Sequence, residues 1–130
     1  MPDEPDSAGR PSVTIFVCES CGDAGAGPAD GAQLLANLRS RNSDPDTITV
    51  TGVDCLAVCE QPVSVAFAAD GKWSYVLGDV KADTDVADIL AAAKAVAVSP
   101  YGVPAMEDRP RFFRDGVVSR VPPAGWEMPV

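Results

Sequence analysis

Histidine is absent from this chain, and that absence excludes more chemistry than any residue present. It removes the commonest general acid-base, every Ser-His or Cys-His nucleophilic pair, imidazole ligation of zinc, and the Rieske kind of iron-sulfur centre, which needs two imidazoles. A hydrolase or transferase would have to run on carboxylates or lysine, and neither forms a convincing constellation. Long apolar runs are missing too, none approaching the roughly 20 residues of a membrane span. The opening Met1-Pro2-Asp3-Glu4-Pro5-Asp6 is acidic and lacks the basic start and apolar core of a secretory signal. Together these absences place the chain in the cytoplasm, where thiols stay reduced and disulfides are rare. Positive charge is also scarce, with 10 Lys and Arg against 19 Asp and Glu and a net charge of -9. Nucleic acid and anionic membranes are poor partners for such a chain, because neutralising phosphate drives that binding. A basic protein partner would suit it, although solubility or a saline habitat accounts for the acidity equally well. The acidic excess lies wholly within residues 1–99, and residues 100–130 are balanced.

What is present starts with size. A chain of 130 residues, 46% hydrophobic and 22% charged, has the composition of one ordinary globular domain and can bury a core without covalent staples. Its four cysteines are therefore not needed for stability. They fall in two stretches, Val17-Cys18-Glu19-Ser20-Cys21-Gly22 and Asp54-Cys55-Leu56-Ala57-Val58-Cys59-Glu60, as C-x2-C followed by C-x3-C. Each pair comes just past a β-branched run that reads as a strand, and strand ends are rigid enough to hold four sulfurs on one side of a sheet. Thiolates are soft ligands suited to zinc and to iron-sulfur centres. The leading expectation is a four-thiolate metal site, a 2Fe-2S cluster above all.

The elements can be laid out around these pairs. Residues 1–11, rich in Pro, Asp, Gly and Ser, form an expected disordered segment. Ser12 to Val17 reads as a central strand. The loop Gly22-Asp23-Ala24-Gly25-Ala26-Gly27-Pro28 can wrap closely around a ligand or serve as a plain connection. Asp30-Gly31-Ala32-Gln33 resembles a capping box and opens a helix over about 32–41 with Leu34, Leu35 and Leu38 on one face. Thr47 to Val53 alternates as a half-buried strand. Pro62 opens a third strand over 63–67, and Ala69-Asp70-Gly71 turns the chain into a fourth, Lys72 to Leu77, where Trp73 packs the hairpin. Thr84-Asp85 starts a second helix with Val86, Ile89, Leu90, Ala93 and Ala97 inward and Lys94 outside. The domain thus covers 12–99. Residues 100–130 form a Pro-rich tail in which Arg111 to Val121 reads as a small hairpin around Asp115-Gly116, packed on the domain. Arg109, Arg111, Arg114 and Arg120 lie close together there. They neutralise neighbouring carboxylates, form a partner-docking patch, or cover a negatively charged cluster.

The order strand, helix, strand, then hairpin and closing helix, is that of a thioredoxin-like α/β fold: a mixed sheet of about four strands flanked by helices, here with a C-terminal extension. The chain resembles the thioredoxin-like 2Fe-2S ferredoxins. It is more closely similar to an uncharacterised bacterial family of small predicted metal-binding proteins often encoded beside cobalamin-biosynthesis genes. The resemblance rests on Cys18-Glu19-Ser20-Cys21, on Cys55-Leu56-Ala57-Val58-Cys59-Glu60-Gln61-Pro62, on Gly71-Lys72-Trp73-Ser74-Tyr75-Val76-Leu77-Gly78-Asp79 and on Arg120-Val121-Pro122-Pro123, and it spans residues 12–123. It implies that Cys18, Cys21, Cys55 and Cys59 are the metal ligands, although thioredoxin-like ferredoxins usually have a wider gap between their first two cysteines. It also implies a one-electron carrier rather than an enzyme, a reductase or acceptor enzyme as redox partner, and a homodimer.

On that reading Cys18 and Cys21 hold one iron and Cys55 and Cys59 the other, with Glu19, Gly22 and Glu60 around them. Glu19, Asp23, Asp54 and Glu60 disfavour added negative charge and predict a low potential, while backbone N–H groups of the glycine-rich loop pull the other way. Three alternatives stay open. One is a zinc-binding or metal-delivery protein, linked through its gene neighbourhood to cobalamin biosynthesis, although C-x3-C and a 33-residue gap fit the usual two-knuckle zinc pattern less well. Another is thiol redox chemistry, since Cys-Glu-Ser-Cys after a first strand resembles an oxidoreductase motif. Against it, some ten residues separate Cys21 from the expected helix, so no helix N-terminus is expected beside the thiols. The last is four buried reduced cysteines without metal.

Overall fold

The computed structural model describes residues 12–19, 30–54, 64–78, 80, 86–105, 107, 109–110, 113–114, 116–123 and 125. In chain order these form β1 (Val13–Cys18), α1 (Asp30–Arg41), β2 (Ile48–Val53), β3 (Val65–Ala68), β4 (Ser74–Leu77), α2 (Val86–Val98), a single 3-10 turn (Pro100–Gly102) and β5 (Val117–Val121). The strands make one mixed sheet in the order β2-β1-β3-β4-β5. β1 and β2 run parallel, and the remaining pairs are antiparallel.

Alternation in the strands sets which face is dry. Val13, Ile15 and Val17 point to the same side as Ile48, Val50, Val65, Phe67, Tyr75 and Leu77, and all are buried in one core. Both helices cover that face: they touch one another and both rest on β1 and β2. α1 contributes Leu34, Leu35 and Leu38, and α2 contributes Val86, Ile89, Ala92, Ala93, Val96 and Ala97. The three alanines keep α2 slim where it lies against its neighbours, since interaxial distance follows side-chain size at the contact. Leu90, expected inward, is only half-buried, and Lys94 is exposed as expected. Lys94 reaches Asp44 at 2.6 Å, tying α2 to the α1–β2 connection.

The expected turn after β3 is present. Gly71 has φ 73°, a conformation that suits glycine, and the Lys72 N–H donates to Ala69 O at 3.2 Å. Lys72 does not continue the strand. Its ammonium instead donates to the Val96, Ala97 and Ser99 carbonyl oxygens at the end of α2, where a cation satisfies orphan acceptors and the negative helix end together. Trp73 N–H donates to Tyr101 O at 2.8 Å and the Tyr75 hydroxyl to Gly102 O at 2.7 Å, so the chain after α2 is fastened to the start of β4.

The tail departs from expectation. Phe113 and Arg114 lie in a helical turn, their N–H groups donating to Pro110 O at 2.9 and 3.2 Å, so the first arm of the expected hairpin is not a strand there. Val117–Val121 pairs with β4 across a bulge at Val76/Leu77 and becomes the fifth strand of the main sheet. The reason lies in Phe113: its ring is fully buried edge-on to Phe67 and Tyr75, with centroids 5.5 and 5.0 Å away. A two-stranded ribbon would have left that ring in water. The expectations for residues 1–11, for Pro62 and for Thr84-Asp85 lie outside the described residues.

Candidate metal centre

Cys18 is the last residue of β1 and is buried. Its backbone is held from both sides: its N–H donates to Ser64 O at 3.2 Å, and the next N–H, of Glu19, donates to Val53 O at 2.9 Å. In the thiol form its Sγ–H donates to Asp54 O at 3.6 Å. Because β1 and β2 are parallel and Cys18 is in register with Val53, both strands finish at the same end of the sheet. Strand-end rigidity was the sequence argument for a site here, and these bonds supply it for Cys18.

Two glycines shape the surroundings, and neither was singled out as a site residue from sequence. A Cβ on Gly31, in the first turn of α1, would fall far inside contact distance of Cys18 O and lie 3.0 Å from Cys18 C and 3.3 Å from Glu19 C. The absence of a side chain is what lets the helix start rest on the strand end. A Cβ on Gly52 would meet the Glu19 side chain, 2.6 Å from Cδ and 2.9 Å from Cγ. The Glu19 carboxylate thus lies across β2 while remaining exposed. A glycine inside an otherwise regular helix or strand is the sequence signal that could have found both.

The Gly31 contact corrects one expectation. The sequence separation between Cys21 and the helix predicts no helix N-terminus beside the thiols, yet the first turn of α1 lies against the Cys18 backbone.

Of the other expected site residues, Cys21, Gly22, Cys55, Cys59, Glu60 and Arg111 lie outside the described residues, and among the described residues no three Cys, Asp or Glu side chains cluster as a metal site. The three described arginines of the tail are placed apart from Cys18 or turned to other contacts. Arg109 donates to Pro104 O at 3.1 Å and lies over the Phe113 ring at 5.2 Å. Arg120 lies over Trp73 at 4.6 Å from the ring centre. Arg120 pairs with Tyr75, Tyr75 with Phe67 and Phe67 with Ile15, so it stands three strands across and three residues along from Cys18. Sheet spacings make that roughly 17 Å, too far for its guanidinium to cover the thiol. Arg114 is exposed.

The donor set fits a thiophilic metal. One buried cysteine is fixed at a strand end. The segments carrying the other three are bracketed by residues that converge on it: Glu19 and Gly31 around 20–29, Asp54 and Ser64 around 55–63. Soft sulfur donors without imidazole suit iron-sulfur or zinc sites.

Comparison with known proteins bears first on architecture. A thioredoxin-like [2Fe-2S] ferredoxin from Aquifex aeolicus superposes with a TM-score of 0.57 at 19% identity, covering 90% of this chain and 99% of that one. A second structure, of the wild-type ferredoxin, gives 0.55 at 19% identity over 84% and 98%. A cysteine-to-serine variant gives 0.53 at 18% identity over 82% and 98%. At this identity the likeness shows a shared thioredoxin-like fold. No curated protein matches the chain in sequence, and neither result bears on a link to cobalamin biosynthesis. Among the described residues no helix is long and apolar enough to cross a membrane. Residues 15–123, from the first core strand through the end of β5, match the family model described as protein of unknown function, DUF1636, and the chain belongs to that family.

Proposed function

We propose that the protein is a one-electron carrier that binds a 2Fe-2S cluster through Cys18, Cys21, Cys55 and Cys59. The observation that carries this reading is the convergence on Cys18: each segment bearing the remaining cysteines leaves and rejoins the described fold beside that residue. Covalent reach narrows the space further. Cys55 adjoins Asp54, whose carbonyl is 3.6 Å from the Cys18 sulfur, and Cys21 is three residues beyond Cys18, at most about 11 Å away. The fold shared with [2Fe-2S] ferredoxins supports the same reading. Such a cluster, when bound, supplies reversible one-electron chemistry without a substrate bond being made or broken.

The chain's own residues would hold and tune it. Cys18 would give up the proton now directed at Asp54 O on ligation, so loading releases protons and weakens as pH falls. Glu19, the residue after Cys18, has its side chain laid over Gly52 and would favour the less negative, oxidised state. The partner would be a reductase or acceptor enzyme.

Protein purified anaerobically should be brown, contain iron and acid-labile sulfide in equal amounts at two of each per chain, and bleach on reduction. Colourless protein with stoichiometric zinc would replace this reading with a structural or metal-delivery role. In the coloured protein, Cys18→Ala should abolish the chromophore.

A further inference from the structure

On the reading that Cys18 ligates a cluster, we propose that Gly31 is a positioning residue, which seats the positive end of α1 on Cys18 and thereby raises the reduction potential of the centre.

The two glycines beside the site differ in what opposes a side chain. At Gly52 the obstacle is the end of the Glu19 side chain, which can swing away. At Gly31 it is the backbone of Cys18 and Glu19. That backbone cannot yield, because the Cys18 N–H is bonded to Ser64 O and the Glu19 N–H to Val53 O. The far part of α1 cannot yield either: Leu34, Leu35 and Leu38 are in the core, and the Arg39 guanidinium donates to Val50 O at 3.2 and 3.3 Å. Only the first turn of α1 can move, so a side chain at position 31 must lift it from Cys18.

Lifting that turn has an electrostatic consequence. The start of a helix carries the equivalent of roughly half a positive charge, and its influence falls off within the first turn. A four-thiolate cluster is negative and gains one more negative charge on reduction, so a helix start resting on the backbone of a ligand residue favours the reduced state. Glu19 acts in the opposite sense.

The test uses the full chain, reconstituted anaerobically with ferrous iron and sulfide. Gly31→Ala should lower the melting temperature of the metal-free protein and make the midpoint potential of the loaded protein more negative. The first result discriminates sharply, because helix propensity alone would make Gly→Ala stabilising. A loaded Gly31→Ala protein with unchanged or raised potential overturns the proposal, even if it is less stable. Should that variant fail to fold, exposed Gln33 in the same turn decides. Gln33→Lys should raise the potential and Gln33→Glu lower it, while Arg41→Glu at the far end of α1, roughly 15 Å away, should leave it unchanged at 0.15 M salt. Equal potentials for the two Gln33 variants overturn it as well. Wild-type protein that takes up no chromophore defeats the electron-carrier reading and this inference together, whereas a normal wild type with unresponsive variants defeats this inference alone.

Discussion

Tyr75 carries its hydroxyl into the core, where it donates to Gly102 O at 2.7 Å. Burial raises the phenol above its usual 10.0, with the Arg109 and Arg120 guanidiniums pulling it partly back. A folded value above the unfolded one means that the contribution is complete below about pH 10 and is lost as pH climbs through the folded value. Tyr75→Phe should therefore cost about 1–2 kcal/mol at neutral pH and flatten the alkaline loss of stability, as urea unfolding between pH 8 and 11 would report. A second prediction concerns Glu19. If its carboxylate disfavours reduction, Glu19→Gln should raise the midpoint potential of the loaded protein, and the gain should shrink in high salt because the side chain is exposed. How far single residues were legible in sequence followed from how local their physics is. Cys18 and Glu19 announced themselves by spacing and charge. Gly31 and Gly52 did not, because what a glycine makes room for lies on another element. The contacts of Trp73 with Arg120 and of Lys72 with the end of α2 depend on strand pairing that a linear chain does not display.

Elements were legible where periodicity carried them. β1, β2 and both helices fall within two residues of their expected limits in the described chain, because alternation and the 3.6-residue repeat record one-sided burial directly. The tail was not, since Asp115-Gly116 between apolar runs signals a hairpin whatever lies beside it. Tertiary burial of Phe113 decided otherwise, and the turn signal now precedes a strand that pairs with β4. This makes the tail part of the fold and not an accessory to it. Phe113→Ala should cost about 3–5 kcal/mol, because it opens a cavity beneath Phe67 and Tyr75 and frees β5 from its anchor. Truncation after Val103 should be at least as damaging. Equilibrium denaturation of the point variant checks the first, and a loss for Phe113→Ala below about 1 kcal/mol would mean that β5 is held by its ladder to β4 alone.

At the scale of the molecule, the described core is made almost wholly of aliphatic and aromatic side chains. The core runs through the sheet and both helices, and of the four cysteines it includes Cys18 among the described residues, packed there as a small apolar side chain. A zinc finger folds only with its metal because it has little else to bury. Among its described residues this chain has two full helices and five strands around buried Ile, Leu, Val and Phe side chains. The metal-free protein, kept reduced, should therefore retain its far-UV circular dichroism and unfold in one cooperative step. Its melting temperature should be lower than that of the loaded form by linkage, about 3–6 °C for each kcal/mol that binding contributes. A net charge of -9 adds a second condition. Self-repulsion is greatest at low ionic strength, so added monovalent salt should raise the melting temperature of the metal-free form. Collapse of the dichroism on metal removal would show instead that the cysteine-bearing segments are structural pillars. In that case the site would be better read as a stabilising metal knot than as a redox centre carried by an independently stable fold.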